Sequence, residues 1–245
     1  MGCMQASTGL TRPPAEGTRR ERLRQSTVAE IKARAWRQVA DGGATSVSLR
    51  AIARDMGMTS SALYRYFDSR EQLVEELVAD GYASLADTLE SAIAAEGWEH
   101  DPLGRFFHVV HTYRAWALAH STEYGLVFGT SICGPDVNER VLQEHHRGVQ
   151  VLFQVMIDGI ATGCVDPRRI GPLTAVLDAQ LQRWQQELGL PLESEALAAC
   201  LYVYAQLHGT ISIELFQGLP DALMPAEQLF EFQMRTIMTT LGATA

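Results

Sequence analysis

The chain has 245 residues, 47% of them hydrophobic and 20% charged, with a formal net charge of −9. That mix excludes wholesale disorder and a miniature fold dependent on disulfides. Taken as one average, the negative charge argues against nucleic acid, whose phosphates need cationic surface.

The average hides a division by position. Residues 1–70 hold 12 of the 20 basic residues and only six of the 29 acidic ones, a local balance of +6; residues 71–245 carry −15. Such a split suggests a nucleic-acid-facing N-terminal segment on an acidic body. A solvated basic helix without a partner is the other reading of the same charges. The cysteines Cys3, Cys133, Cys164 and Cys200 form no C-x-x-C pair, and three of them sit among apolar neighbours and read as buried free thiols in a reducing cytoplasm. No signal-peptide core appears, and the longest apolar run, Ala196 to Ala205, is too short to span a bilayer, so a cytoplasmic protein without membrane attachment is expected.

In chain order, residues 1–17 are punctuated by Gly9, Pro13, Pro14 and Gly17 and read as a disordered arm. From Thr18 to about Asp41 the spacing of Leu23, Val28, Ile31, Ala35 and Val39 predicts a helix, stopped by Gly42-Gly43. Ser48 is a natural N-cap, and Leu49, Ile52, Ala53 and Met56 then form one apolar stripe on a short helix. Gly57 suits a left-handed position beyond its end, with Met58 as the apolar residue that often follows. Thr59 caps a second short helix running to about Phe67, and Ser69 with Gln72 forms a capping box for a third. Two short helices joined by a tight turn containing glycine are the helix-turn-helix arrangement.

At roughly 100° per residue, Ala62, Leu63, Tyr66 and Phe67 share an inward arc of that second helix. Ser60, Ser61, Tyr64 and Arg65 face outward, without an acid among them. Short hydroxyls allow close approach to phosphate and base edges, and arginine grips guanine or phosphate.

The run Leu49-Arg50-Ala51-Ile52-Ala53-Arg54-Asp55-Met56-Gly57-Met58-Thr59, followed by Ala62-Leu63-Tyr64-Arg65-Tyr66-Phe67 and Ser69 to Leu73, resembles the DNA-binding segment of the TetR family of bacterial repressors over about residues 20–75. The resemblance implies a two-fold dimer whose recognition helices enter major grooves of a palindromic operator. It also implies a small-molecule effector, bound in the larger C-terminal domain, that weakens DNA binding. Position by position it implies DNA contacts from Ser48, Arg50, Thr59, Ser60, Ser61, Tyr64, Arg65 and Tyr66, with the last reaching phosphate only by its hydroxyl.

Beyond residue 75 the breaks Asp101-Pro102, Gly134-Pro135, Gly171-Pro172, Gly189 to Pro191 and Gly218 to Pro220 separate helical stretches at 103–119, 136–162, 173–188, 193–217 and 225–241. In 136–162 the period is kept by Val141, Leu142, Val149, Leu152, Phe153, Met156 and Ile160, and in 173–188 by Leu173, Val176, Leu177, Leu181, Trp184 and Leu188. The expected fold is all-α, with about nine or ten helices. It divides into the arm 1–17, a three-helix helix-turn-helix domain at 18–75, and a larger helical ligand-binding and dimerisation domain at 76–245.

Aromatic density between residues 103 and 217 fits a cavity lined by apolar and aromatic groups, although for any single residue an ordinary core position is the favoured reading. Trp116, Tyr124, Phe128, Phe153, Met156, Tyr204 and His208 are the candidate pocket residues for a small hydrophobic or aromatic effector. Tyr204-Ala205-Gln206-Leu207-His208-Gly209 resembles a W-x-x-x-H-G pattern of one subgroup of the family, with tyrosine in the tryptophan position. His108 and His111 share a helix face but lack a third metal ligand, and the adjacent His145 and His146 point apart. No nucleophile elbow or phosphate loop is present, so neither cofactor nor catalysis is expected. The apolar face of the last two helices, from Leu197, Leu201, Tyr204 and Leu215 to Leu229, Phe230, Met234, Ile237, Met238 and Leu241, is expected to pair with a second copy. The rival readings are an all-helical enzyme carrying this N-terminal motif and an architectural DNA binder without an effector.

Overall fold

The computed structural model describes residues 18–98, 100–129, 138–188 and 192–243. The arm 1–17, the breaks Gly134-Pro135 and Gly189 to Pro191, and the thiols Cys3 and Cys133 lie outside the described residues. Among those described are ten α-helices, three short 3-10 helices and no strand. The chain divides into two compact units, the first ending at Leu73 and the second spanning Val74–Ala245.

In the first unit, α1 (Arg19–Gly42) opens on a capping box in which the Glu21 amide donates to Thr18 Oγ1 (3.3 Å) and the Thr18 amide to Glu21 Oε2 (2.6 Å). Its stripe is buried only at Ile31, Ala35 and Val39. Leu23, expected on that stripe, is 60% exposed, because it precedes the buried part of the helix and only borders an open cleft. Gly43, at φ 72°, ends the helix. Then α2 (Leu49–Asp55) starts at Ser48, whose Oγ accepts from the Ala51 amide. Beyond α2 the Met58 amide donates to Ala53 O (2.8 Å) and the Gly57 amide to Arg54 O (3.0 Å), the two bonds of a Schellman closure, with Gly57 left-handed at φ 65°.

The next helix, α3 (Ser60–Leu63), is shorter than its predicted extent to Phe67. Tyr64–Tyr66 continue as turns because the ladder tightens, the Tyr66 amide donating to Leu63 O at 2.8 Å. Next comes α4 (Arg70–Ile93), which crosses from the first unit into the second. Its predicted capping box closes one residue early. Ser69 Oγ accepts from the Gln72 amide (3.0 Å), but Gln72 Oε1 accepts from the Asp68 amide (2.6 Å) rather than that of Ser69. Arg70 donates to Val47 O and Ala44 O, pinning the loop before α2.

The second unit adds α5 (Pro102–Ala119), α6 (Ser121–Gly129), α7 (Glu139–Ala161), α8 (Ala175–Leu188), α9 (Ser194–Phe216) and α10 (Glu227–Thr240). A separate α6 is not among the predicted stretches. His120, at φ −124° and ψ 47°, makes the break without any glycine or proline to mark it. The periodic stripes are also less buried than expected: Leu142 is 45% exposed, Val176 70% and Leu177 40%. The apolar face assigned to α9 and α10 is mostly consumed inside the chain, since Leu197, Phe230, Met234 and Leu241 are fully buried and Ile237 and Met238 nearly so.

Arginines staple this unit. Arg140 on α7 holds Glu76 and Asp80 on α4 at 2.8 and 2.9 Å, and Arg147 holds Asp87 and Glu90 at 2.7 and 2.6 Å. Arg114 on α5 grips Glu214 on α9 through two parallel bonds of 2.8 and 2.6 Å, with their side chains only 13% and 6% exposed.

Candidate functional site

The first candidate surface is the outer face of α3 and the turn after it. Leu63 (0% exposed) and Phe67 (4%) anchor the element in the core. Ser60, Ser61, Tyr64 and Arg65 are all exposed, as the helical arithmetic requires. Tyr66 is half-buried, with the Arg24 guanidinium 5.2 Å above its ring. Arg50 is exposed on α2. Ser48 and Thr59 already use their hydroxyls as caps, Thr59 Oγ1 accepting from the Ala62 amide at 3.2 Å. Their free contribution to an outside ligand is therefore the second lone pair or the hydroxyl proton. Thr59 Oγ1 also lies 3.1 Å from Ser61 Oγ.

The second candidate is internal. His208 on α9 sits between two tyrosines: its Nε2 is 3.1 Å from the Tyr113 hydroxyl and its Nδ1 is 3.3 Å from that of Tyr124. The Tyr124 hydroxyl also lies 3.1 Å from Ser212 Oγ. Phe128 and Tyr204 press on the same imidazole, at ring-centroid distances of 4.4 and 4.3 Å. His145 joins through the Tyr204 hydroxyl at 3.5 Å, and Tyr82 on α4 meets both His145 (5.0 Å) and Phe128 (5.7 Å).

Burial, reinforced by His145, holds the His208 pKa down to about 3, so the ring is neutral. Burial lowers His145 as well, reinforced by its neighbour His146. The same desolvation raises Tyr113, Tyr124 and Tyr204, keeping their hydroxyls protonated. A neutral imidazole has one donor and one acceptor. The imidazole can thus accept from one tyrosine hydroxyl and donate to the other, while the Tyr124 hydroxyl also donates to the His208 carbonyl oxygen at 3.4 Å. Hydroxyls and imidazoles, not formal charges, therefore make the polar face of this cluster.

Of the seven candidate pocket residues, the structure brings Tyr124, Phe128, Tyr204 and His208 together. Trp116 instead donates to Ser84 Oγ (3.1 Å) and stacks on His120, Phe153 turns edge-on to Trp184, and Met156 is 1% exposed in the general core. Sequence reasoning missed Tyr82, Tyr113, His145 and Ser212 as cluster members. Ser212 lies four residues beyond His208 on the same helix face, which is a readable signal. Tyr82 lies on another helix, and only tertiary packing places it.

His145 turns inward while His146 is exposed. His108 and His111 have separate partners, the first stacked on Trp98 and the second 2.7 Å from Glu231. Among the described residues no three metal-ligating side chains converge. Cys164 and Cys200 are both free, and burial pushes the Cys200 thiol up to about 12.

Comparison with known proteins covers both units. Residues 31–77 match the model of bacterial regulatory proteins of the tetR family, and residues 106–237 match the tetracyclin repressor-like C-terminal domain. The HTH-type transcriptional regulators Mb1846 of Mycobacterium bovis and Rv1816 of Mycobacterium tuberculosis are each 33% identical over 92% of this chain and 96% of their own length. The crystal structure of regulatory protein SCO4313 is 34% identical, with a TM-score of 0.73 over 91% of this chain and 100% of that one. A tetR-family regulatory protein from Rhodococcus RHA1, at 15% identity and a TM-score of 0.62, shares the fold over 89% of this chain.

Proposed function

Because the chain belongs to the TetR family of transcriptional regulators, we propose that it is a cytoplasmic repressor that binds a palindromic operator as a homodimer and releases it on binding a small effector. The observation that carries the reading is the exposed, acid-free face of Ser60, Ser61, Tyr64 and Arg65 on an element anchored by Leu63 and Phe67. A merely solvated face has no need to exclude carboxylates; a face that meets phosphate does. In a dimer the two faces would sit roughly 34–36 Å apart, one turn of DNA. The reading gives the chain no catalytic step.

The dimer surface is assigned to what α9 and α10 leave uncovered. Ile213, Phe216 and Phe232 are 41%, 52% and 66% exposed, and Ala205 and Gly209 continue the α9 face with small side chains that allow close helix approach. The effector is assigned to the cluster around His208. Because that cluster is neutral, the expected ligand is an uncharged aromatic molecule with one or two hydrogen-bonding groups. Such a ligand lowers operator affinity only by binding the DNA-free conformation more tightly.

Selection from a randomised duplex pool tests the DNA reading. A two-fold symmetric sequence should emerge, and Arg65→Ala should weaken binding to it roughly tenfold, within the range of about 1–3 kcal/mol for one base or phosphate grip. A pool that enriches nothing symmetric overturns the reading. Titrating neutral phenols and aromatic ketones against the selected duplex tests the effector, since a compound seated at the cluster must release DNA from the unaltered protein and not from a Tyr204→Phe, His208→Phe variant.

A further inference from the structure

The positive charge of the first unit is not confined to the recognition face. Arg19, Arg20, Leu23 and Arg24 on the first turns of α1 line an open cleft of about 570 Å³ whose other wall includes Arg65 and Tyr66. Four guanidiniums thus converge on one concavity. Among the described residues none of the four holds a carboxylate, while Arg34 and Arg70 of the same unit do. The acid closest in sequence, Glu21, accepts from the Thr18 amide in the cap. Leu23 is 60% exposed and follows the spacing of the buried stripe without being part of it.

We propose that this cleft is a second DNA-binding surface, which holds the sugar-phosphate backbone flanking the operator and lengthens the footprint beyond the helix-turn-helix. Three features select this occupant. Guanidinium forks match phosphate oxygens two at a time. The exposed Leu23 and the Tyr66 ring offer apolar surface of the kind a deoxyribose covers. The cleft also shares Arg65 with the outward face of α3, so one strand passing that face leads directly into it. Arg24, held over the Tyr66 ring at 5.2 Å, is already oriented and loses little side-chain freedom on binding.

The inference rests on the operator-binding reading, and the test separates the two. The full-length Arg19→Ala, Arg20→Ala variant is compared with the unaltered chain on the pool-selected duplex, once with ten flanking base pairs on each side and once trimmed to the symmetric core. Both residues are exposed on the first turn of α1, ahead of its buried stripe, so the fold should persist. On the flanked duplex the variant should bind roughly tenfold more weakly, and its slope of log K against log salt should be shallower by about 1.8 per protomer, or 0.9 for each lost phosphate contact. On the trimmed duplex the two proteins should bind alike. The Arg19→Lys, Arg20→Lys variant should recover the slope, because it restores the charge. An unchanged slope on the flanked duplex overturns the second surface while leaving the operator reading intact. So does a loss that persists on the trimmed duplex. Failure of the pool to yield a symmetric core removes the operator reading itself.

Discussion

The two units use most of their arginines differently, although Arg34 and Arg70 of the first are also paired. In the second, Arg105, Arg114, Arg140, Arg147, Arg168 and Arg235 each hold a carboxylate. In the first, Arg19, Arg20, Arg24, Arg50 and Arg65 hold none among the described residues. Arg105, Arg114, Arg140 and Arg147 fasten helix to helix while Arg168 and Arg235 pair locally, and a paired guanidinium has little left for an outside anion. An unpaired one on a convex or open surface is solvated, available and adds to the long-range field. Nominal charge therefore misstates both regions: the acids of α4 are partly neutralised by α7, while Arg19, Arg20 and Arg24 of α1 and Arg65 just beyond α3 hold no carboxylate among the described residues. The same contrast separates where the chemistry lies, on the outside of the small unit and on the inside of the large one.

The contrast breaks most severely at Arg114–Glu214. Glu214→Ala leaves a guanidinium that is 13% exposed without its counter-ion, and removal of one partner of a buried pair costs about 3–5 kcal/mol. Hydrogen exchange should show the loss in α5, α9 and α10 and leave α1–α3 protected. A loss below about 1 kcal/mol would mean the pair is not what joins α5 to α9. In the first unit the matching substitution is Leu63→Ala. Leu63 is fully buried, and deleting it should cost about 3 kcal/mol and deprotect α1–α3 while α5–α10 keep their protection. If both substitutions deprotect both units equally, they are one cooperative body.

Acid should sharpen the contrast further. The His208 pKa is held down to about 3 in the folded state, against about 6.5 unfolded, so the unfolded chain takes up a proton that the folded one refuses. The neutral ring's contribution is complete above about pH 6.5 and falls away as pH drops towards 3, by at most about 1.4 kcal/mol per pH unit. His145 acts in the same direction. Thermal unfolding of the second unit should therefore steepen in pH below 6.5, and His208→Gln should flatten it. An identical pH profile in His208→Gln would show that the ring titrates freely.

Most of the first unit was legible in the sequence because local rules fix it. Ser48, Gly57 and Thr59 are caps and a turn whose identities dictate backbone geometry, and once α2 and α3 are placed the direction of every side chain follows. What went wrong there was local as well: Leu23 kept the helical period but only borders an open cleft, and Gln72 reached one residue past its expected partner. The second unit is different. Tyr124, Phe128, Tyr204 and His208 converge because α6 and α9 meet, and periodicity on single helices cannot separate them from Phe153 or Met156, which are equally apolar and equally periodic. Leu197, Phe230, Met234 and Leu241 of the apolar face of α9 and α10 pack inside the chain, which periodicity cannot reveal for the same reason. Burial against the chain's own core and burial against a second copy write the same pattern.

The smallest effect bears on the rule that made the first unit readable. Gly57 has φ 65°, and a Cβ there would meet nothing within 4 Å, so the only obstacle to a side chain is the backbone conformation itself. Alanine pays the left-handed penalty of about 1 kcal/mol, whereas asparagine tolerates that region better. Gly57→Ala should thus lower the stability of the first unit by about 1 kcal/mol and Gly57→Asn by less, with the second unit unaffected in both. Chemical denaturation followed by hydrogen exchange in α2 and α3 reads the difference. Were alanine as stable as asparagine, the turn would not be held by the left-handed residue. The Schellman bonds from Met58 and Gly57 would then have to carry the geometry of the helix-turn-helix alone.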